Sequence, residues 1–373
     1  MRILYLFHSL AHWGGIERIL VDKMNYLASV LGYEVFMLTT DQGTHPQPFQ
    51  LAEGVKLMDM GICFHQRYRY RGLKRLLVMQ QLKLRFSRLL SEQLQSIQPD
   101  VIVCTTSTYI DLDILAHLKG NIPLVVESHS ICQRTFGQGG WTHFFKDYIY
   151  RRALKKAEVV VALTEQDAAD WRKCGLNTCV IPNMVHLNNG VCSDLCQPHV
   201  IFVGRLDNQK KPMTMINIWQ KVFPLFPDWH LDIYGEGEQW QEVNNVAASI
   251  GMNIHIYPPT AQIFDCYRES SILASTSLYE PFGLVIPEAM SCGLPVVAFD
   301  CPYGPSEIIT DGIDGFLVKD GDEVTFADRL SRLMGNKILR QSTGQSAALS
   351  AQRYSAECVM PRWENLFKSF KIK

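Results

Sequence analysis

Strand-length apolar runs alternate with stretches of helical periodicity along the whole of this chain. In the first half the runs fall at Arg2–Phe7, Glu34–Thr39, Val55–Met58, Val101–Thr105, Leu124–Glu127, Val159–Leu163 and Cys179–Ile181. In the second half they are His199–Val203, His230–Tyr234, Ile254–Tyr257, Ile272–Ser275, Pro295–Ala298 and Phe316–Val318. Strand candidates separated by helical stretches argue for parallel α/β layers. Between the two sets lies Pro182 to Pro198, polar and irregular, which reads as a linker. The chain closes on a helical stretch, Ala356 to Phe370, in which Trp363, Leu366 and Phe370 recur at i, i+3 and i+7.

A chain of 373 residues has length for two domains, and 47% hydrophobic with 20% charged residues is a globular balance with material for two cores. The net charge of −1 hides an asymmetry. Residues 1–185 carry 21 Lys and Arg against 16 Asp and Glu, and the remainder carries 15 against 21. A basic first half and an acidic second half suit different partners, and the near-neutral total argues against nucleic acid. Eleven scattered cysteines contain no Cys-x2-Cys pair and read as reduced thiols of a cytoplasmic protein. Arg2 and its apolar run resemble a secretory leader, yet no small-residue cleavage site follows before Glu17-Arg18, so a buried strand is expected there. No apolar run reaches the length of about 18 residues that a membrane span needs. Cys192, Cys196 and His199 would lack a fourth metal ligand at the usual spacing. Asp111-Leu112-Asp113 has the form of a metal-binding Asp-x-Asp but lies at a helix start, where acids meet the helix dipole. No metal and no cofactor are expected.

The chemistry concentrates in Glu280-Pro-Phe-Gly-Leu-Val-Ile-Pro-Glu288. Leu273 to Ser277 reads as the tail of a buried strand, Glu280 as the loop after it, and Phe282 as the start of a helix. Pro287 then falls early enough that its missing N–H costs the helix nothing. The N–H groups of Phe282, Gly283 and Leu284 would face a phosphate, while the two carboxylates accept hydroxyls. That combination suits a polyhydroxylated phosphate ester such as a sugar nucleotide. Gly14-Gly15 follows the first strand and opens a helix over Ile16–Leu31, which permits close backbone approach to a phosphate. It is not the Gly-x-Gly-x-x-Gly fingerprint of nicotinamide and flavin sites. Arg205 and Lys210 straddle a loop and helix start and offer a bidentate fork and a mobile charge to phosphate oxygens. His129 sits just past the strand Leu124–Glu127, at a strand end that faces the crevice, where a histidine serves either structure or substrate.

The run from Glu280 to Gly293, followed by Leu294-Pro295-Val296-Val297-Ala298, resembles the Glu-x7-Glu signature of family 4 retaining glycosyltransferases. Gly304-Pro305-Ser306-Glu307-Ile308-Ile309 and the stretch from Asp311 to Val318 extend the likeness, and Phe202-Val203-Gly204-Arg205-Leu206 with Lys210 resembles the family's second phosphate-binding element. The resemblance implies a GT-B architecture: two Rossmann-like domains facing a cleft, with the last helix crossing back to the first. Residues 1–187 with 352–373 would form the acceptor-side domain and 188–351 the nucleotide-sugar domain. It implies that Glu288 takes the ribose hydroxyls and Glu280 those of the donor sugar. Arg205 and Lys210 would hold the diphosphate, with Lys210 favoured over Lys211. His129 would contact the transferred sugar, and Gly14-Gly15 would lie near donor diphosphate and acceptor. The expected reaction moves a hexose or N-acetylhexosamine from a nucleotide diphosphate sugar, UDP by preference, with retention of configuration. Cys301-Pro302-Tyr303-Gly304-Pro305-Ser306-Glu307 is more like enzymes of bacterial surface polysaccharides, so a saccharide or lipid-linked saccharide acceptor is expected. A sugar-nucleotide epimerase of the same fold and a non-catalytic membrane-associated partner protein are the alternatives.

Between Gly61 and Ser91 stand eight Lys and Arg and no acids: Arg67, Arg69, Arg71, Lys74, Arg75, Lys83, Arg85 and Arg88, interleaved with Tyr68, Tyr70, Leu76, Leu77, Leu82, Leu84 and Phe86. Such a stretch can lie on an anionic membrane surface, be a solvated helix face, or bind nucleic acid. The first reading, taken with the implied acceptor, places the protein in the cytoplasm, peripheral on the inner face of the cytoplasmic membrane.

Overall fold

The computed structural model describes residues 1–105, 109–136, 141–188 and 190–371. All thirteen expected strands form, in two parallel sheets. The first sheet contains β1 (Arg2–Phe7), β2 (Glu34–Thr39), β3 (Val55–Asp59), β4 (Val101–Thr105), β5 (Leu124–Glu127), β6 (Val159–Ala162) and β7 (Thr178–Val180), in the order β3-β2-β1-β4-β5-β6-β7. The second contains β8 (His199–Val203), β9 (His230–Tyr234), β10 (Ile254–Tyr257), β11 (Ile272–Ser275), β12 (Val296–Asp300) and β13 (Gly315–Lys319), in the order β10-β9-β8-β11-β12-β13. Central strands such as Ile3 to Leu6 and Val101 to Cys104 are buried on both faces, which is why they read as unbroken apolar runs. One boundary moved for a covalent reason. Pro295 has no N–H to give, so β12 opens at Val296 while the Pro295 carbonyl still accepts from Leu273 N at 3.1 Å.

Each sheet reverses its winding once, between β1 and β4 in the first and between β8 and β11 in the second. In open α/β sheets the loops leaving the carboxyl ends of those strands make the ligand crevice. Each sheet also has its own core. Leu4, Ile102, Val126, Phe86 and Trp171 fill the first, and Phe202, Trp219, Ile233, Val297 and Phe326 the second.

The chain divides into Met1–Pro182 with Met360–Lys373, and Asn183–Val359. The crossing points are five residues before and eight after those expected from sequence. The cause is local: Val185 N donates to Tyr354 O at 2.8 Å, so these two residues, one near each crossing, fold with the second unit. The final helix, Ala356–Ser369, packs Trp363 as expected, but its buried partners are Val359, Met360 and Phe367 rather than Leu366 and Phe370. Both sets share a face of a 3.6-residue helix with Trp363, so the spacing alone does not choose between them, and Phe370 falls past the helix end at Ser369.

Candidate active site

In the second unit the loops after β8 and β11, which flank the winding reversal, meet through Lys210 and Glu280. The Lys210 ammonium bonds Glu280 Oε1, and Ser277 Oγ donates to the same oxygen at 2.6 Å. Both contacts fall on Oε1, which leaves Oε2 to accept a ligand hydroxyl. Lys210 is placed by its backbone. Asp207 Oδ1 accepts from Gln209 N and Lys210 N, each at 3.0 Å, an Asx-type turn that fixes the loop. Thr276 Oγ1 lies 3.0 Å from the carbonyls of both Lys210 and Lys211 and ties this loop to the end of β11. Lys211 takes a left-handed backbone at φ 51° and turns its ammonium to Asp320 at 3.3 Å. Of the two lysines, it is therefore Lys210 that reaches the carboxylate.

Arg205 is largely solvated and held at the edge of this cluster. Its guanidinium donates to Gln209 Oε1 at 2.8 Å and stands 3.3 Å from Asp207, while Gln209 Nε2 reaches the Tyr279 carbonyl at 3.1 Å. Gln209 thus bridges the arginine to the Glu280 loop. That loop is pinned to the chain after β12 by Glu280 N to Pro302 O at 3.2 Å and Gly304 N to Glu280 O at 2.8 Å. A Cβ on Gly304 would lie 2.0 Å from the Phe282 carbonyl, so only glycine fits. The helix begins at Val285, three residues later than Phe282, and runs to Ser291. Phe282, Gly283 and Leu284 form the turn into it, Gly283 with φ 92°, a conformation suited to glycine. Glu288 lies in its first turn, buried, with Tyr267 Oη 3.3 Å from Oε2.

In the first unit, Gly14 is the N-cap and Gly15 the first residue of the helix Gly15–Ser29. Glu17 folds back over this end, so close that a Cβ on Gly14 would meet its Oε2 at 2.0 Å. Burial pushes the Glu17 carboxyl up, offset in part by its own backbone N–H and by His12 and His129. A carboxylate already on the helix end opposes phosphate there and favours an uncharged hydroxyl compound. His129 follows β5 as expected, but its side chain turns inward to 4% exposure, with Nε2 3.3 Å from Glu127 Oε1. Glu127 in turn bonds Lys23, and both are buried.

Sequence reasoning found the four charged groups of the second unit and missed what holds them: Asp207, Gln209, Thr276, Ser277 and Tyr267. The Asp207 turn was readable from an acid two and three residues ahead of the loop amides it binds, and Ser277 stands three residues from Glu280, while Gln209, Thr276 and Tyr267 pair across about 20 to 70 residues of chain and leave no local signal. Asp113 pairs with Arg152 at 3.3 Å, and Asp111 is buried in the first turn of the helix Tyr109–Leu118. Among the described residues no three His, Cys, Asp or Glu side chains are grouped to hold a metal ion.

The two parallel-sheet units have the GT-B fold, and two family models match the chain in succession. Residues 13–189 match the model described as Glycosyltransferase Family 4, and residues 197–336 the one described as Glycosyl transferases group 1. The chain belongs to the family 4 glycosyltransferases. An exopolysaccharide phosphotransferase of Streptomyces coelicolor is 31% identical over 218 residues, 56% of this chain and 23% of that one. The amylovoran biosynthesis glycosyltransferase AmsD of Erwinia amylovora is 33% identical over 172 residues, 46% of this chain and 48% of that one. This chain spans less than half the length of these two curated relatives. Among solved structures, S. aureus TarM in complex with fondaparinux, alpha-GlcNAc-glycerol and UDP shares the fold with a TM-score of 0.79, over 98% of this chain and 99% of that one, at 16% identity.

Proposed function

We propose that this protein moves a hexose or N-acetylhexosamine from a UDP-sugar to a saccharide or lipid-linked saccharide acceptor in bacterial surface polysaccharide synthesis, with retention of configuration. The observation that carries the reading is the Lys210–Glu280 pair at the winding reversal of the second sheet. One loop end offers a cation, and the other offers a carboxylate with one oxygen to spare. The anomeric carbon–oxygen bond to the β-phosphate breaks with its electrons passing to the diphosphate. An acceptor hydroxyl oxygen forms the new bond on the same face, and its proton passes to the departing phosphate. Lys210 and Arg205 stabilise the charge that collects on the diphosphate, which is the main catalytic term in such a site. No metal is assigned to this step. Glu280 Oε2 accepts from a donor-sugar hydroxyl, and Glu288 from the ribose. The complex of TarM with UDP and alpha-GlcNAc-glycerol supports both the nucleotide and an α-linked product.

A thermal-shift screen of nucleotide sugars is the first test. The matching donor at about 100 times its dissociation constant adds roughly 2.7 kcal/mol of stability. With the donor in hand, proton NMR of the fresh product reads the anomeric coupling. A β-linked product from an α-linked donor contradicts retention, and donor turnover without acceptor marks an epimerase instead.

The membrane is the proposed location of the acceptor. The helix Gly72–Ile97 buries Phe86, Leu90, Leu94 and Ile97 but leaves Leu73 80% and Leu77 64% exposed among its lysines and arginines. Phe86, one of the aromatic residues of the basic stretch, is therefore core and takes no part. Phe144 (70%) and Phe145 (62%) on the helix Trp141–Leu154 add exposed rings, and Lys146 of that helix acts on the Tyr68 hydroxyl after Arg67 and Arg75. Exposed leucines beside a cluster of cations fit a lipid surface better than plain water. Among the described residues no helix is long and apolar enough to cross a membrane. Changing Arg67, Arg69, Arg71, Lys74 and Arg75 to Ser is expected to abolish cosedimentation with anionic liposomes, at about 1 kcal/mol for each cation near the surface. Equal sedimentation of variant and wild type would make the stretch a solvated face.

A further inference from the structure

We propose that Trp13 and Phe49 form an aromatic platform in the first unit, on which the acceptor is held by the apolar face of one of its pyranose rings. The proposal rests on the transferase reading above, and it commits the acceptor to be a saccharide at this point of contact.

Trp13 stands in the loop after β1, directly before the helix end at Gly14 and Gly15, and Phe49 in the loop after β2. β1 flanks the winding reversal of its sheet, so its loop is among those that bind ligands in open α/β sheets. The two ring centres are 5.3 Å apart at an interplanar angle of 69°, an edge-to-face pair. The indole is nonetheless 71% exposed. Neither loop is slack. Gln42, buried after β2, accepts from Ser9 Oγ at 3.0 Å and from Leu10 N at 2.7 Å, and its amide donates to the His45 carbonyl at 2.9 Å. One side chain therefore ties the loop that carries Trp13 to the loop that carries Phe49. Just past Phe49, Asn25 of the helix Gly15–Ser29 donates to the Gln50 carbonyl at 2.9 Å and accepts from Ala52 N at 2.8 Å. Both rings leave backbone that is already ordered, so a ligand that covers them costs little further chain entropy.

Size and neighbourhood choose the occupant. Aromatic side chains bury about 150–250 Å² each, so two fall well short of the roughly 1,200 Å² of a stable protein interface and match a ligand of one or two rings. A pyranose has a face of C–H groups rimmed by hydroxyls, and it needs a flat apolar surface beside hydrogen-bonding groups. The ring pair supplies the surface. The hydrogen-bonding groups are His12, exposed directly before Trp13, and Glu17, whose carboxyl lies against Gly14 directly after it. Burial pushes the Glu17 carboxyl up and His12 draws it partly back, so the two groups are close enough to act together. A carboxyl at this helix end opposes a phosphate. An acyl chain laid on the rings would leave the polar groups beside them dehydrated and unmatched. A neutral polyol with one apolar face satisfies both kinds of neighbour.

The probes are the methyl glycosides of glucose, galactose, N-acetylglucosamine and N-acetylgalactosamine. In saturation-transfer difference NMR with UDP present, at least one is expected to receive saturation from the wild type, strongest at its ring C–H protons. Trp13→Leu, which keeps apolar volume and removes the flat face, is expected to lose most of that signal, and Trp13→Tyr, which keeps a face, to retain it. Because the indole is exposed, the melting temperature and UDP affinity of both variants are expected to stay at wild-type values. If the glycoside that binds also accepts sugar, Trp13→Leu raises its KM roughly 3- to 10-fold at an unchanged donor KM, the size of one aromatic contact. No saturation of any of the four by the wild type, or equal saturation by wild type and Trp13→Leu, overturns the platform. So does a Trp13→Leu protein that keeps the glycoside signal and loses cosedimentation with anionic liposomes, which would make the indole a membrane contact. A wild type that transfers no sugar from any donor counts against the transferase reading, and the NMR comparison, which needs no donor, then still decides the platform.

Discussion

Lys210→Ala is expected to lower kcat by about 10²–10³, the loss typical of removing one preorganised charge-stabilising donor. Lys210 is singled out among the cations because its position is built from several sides. Asp207 binds its amide, Thr276 its carbonyl and Glu280 its ammonium, so little reorganisation remains when a diphosphate arrives. Arg205 is more solvated and is held only by Gln209 and Asp207. Its alanine variant is expected to lose less, because a mobile guanidinium pays more entropy to engage. The Lys210 variant also leaves the Glu280 carboxylate with Ser277 as its remaining side-chain partner among the described residues, so the melting temperature must be followed beside the rate. Steady-state kinetics with the donor identified by thermal shift gives the number. A folded Lys210→Ala protein within threefold of wild type would remove this lysine from the charge-stabilising role.

The parallel sheets were legible because their strands are buried on both faces and so form apolar runs that need no partner to be recognised. The Glu280–Glu288 segment was legible because proline, glycine and acid fall at fixed offsets in one stretch of chain. The supports were not. Lys23 sits in a helix whose pattern gives no hint that this lysine is the one turned inward, and Glu127 closes a strand where an acid usually meets water. Their pairing spans 104 residues, and a contact of that separation is set by the fold. The final helix shows a milder form of the same limit. Trp363 was found, but choosing Phe367 over Leu366 required the surface it packs against.

The two carboxylates are expected to separate nucleotide from sugar. Glu288→Ala should weaken UDP by roughly 10- to 100-fold, since a hydrogen bond to a charged group contributes about 1.5–3 kcal/mol and each 1.4 kcal/mol is tenfold. Glu280→Gln should leave UDP within about threefold while transfer falls by two orders of magnitude, because the amide keeps the shape but loses the charge that orders Lys210 and takes the sugar hydroxyl. The geometry supports the division. Glu288 is in the first turn of the helix Val285–Ser291, where the peptide dipole favours its charge, and Tyr267 fixes its Oε2 from the helix Ile263–Arg268. Glu280 belongs to the loop beside Lys210, where the phosphate and the bond to be broken would lie. Tyr267→Phe should then follow Glu288→Ala at a smaller amplitude, and Ser277→Ala should follow Glu280→Gln, since Tyr267 Oη bonds Glu288 and Ser277 Oγ bonds Glu280. Isothermal calorimetry with UDP alone, beside steady-state transfer rates, measures all four variants. If Glu280→Gln weakens UDP more than Glu288→Ala does, the two carboxylates exchange roles, and the sugar then sits over the helix Val285–Ser291 instead of beside Lys210.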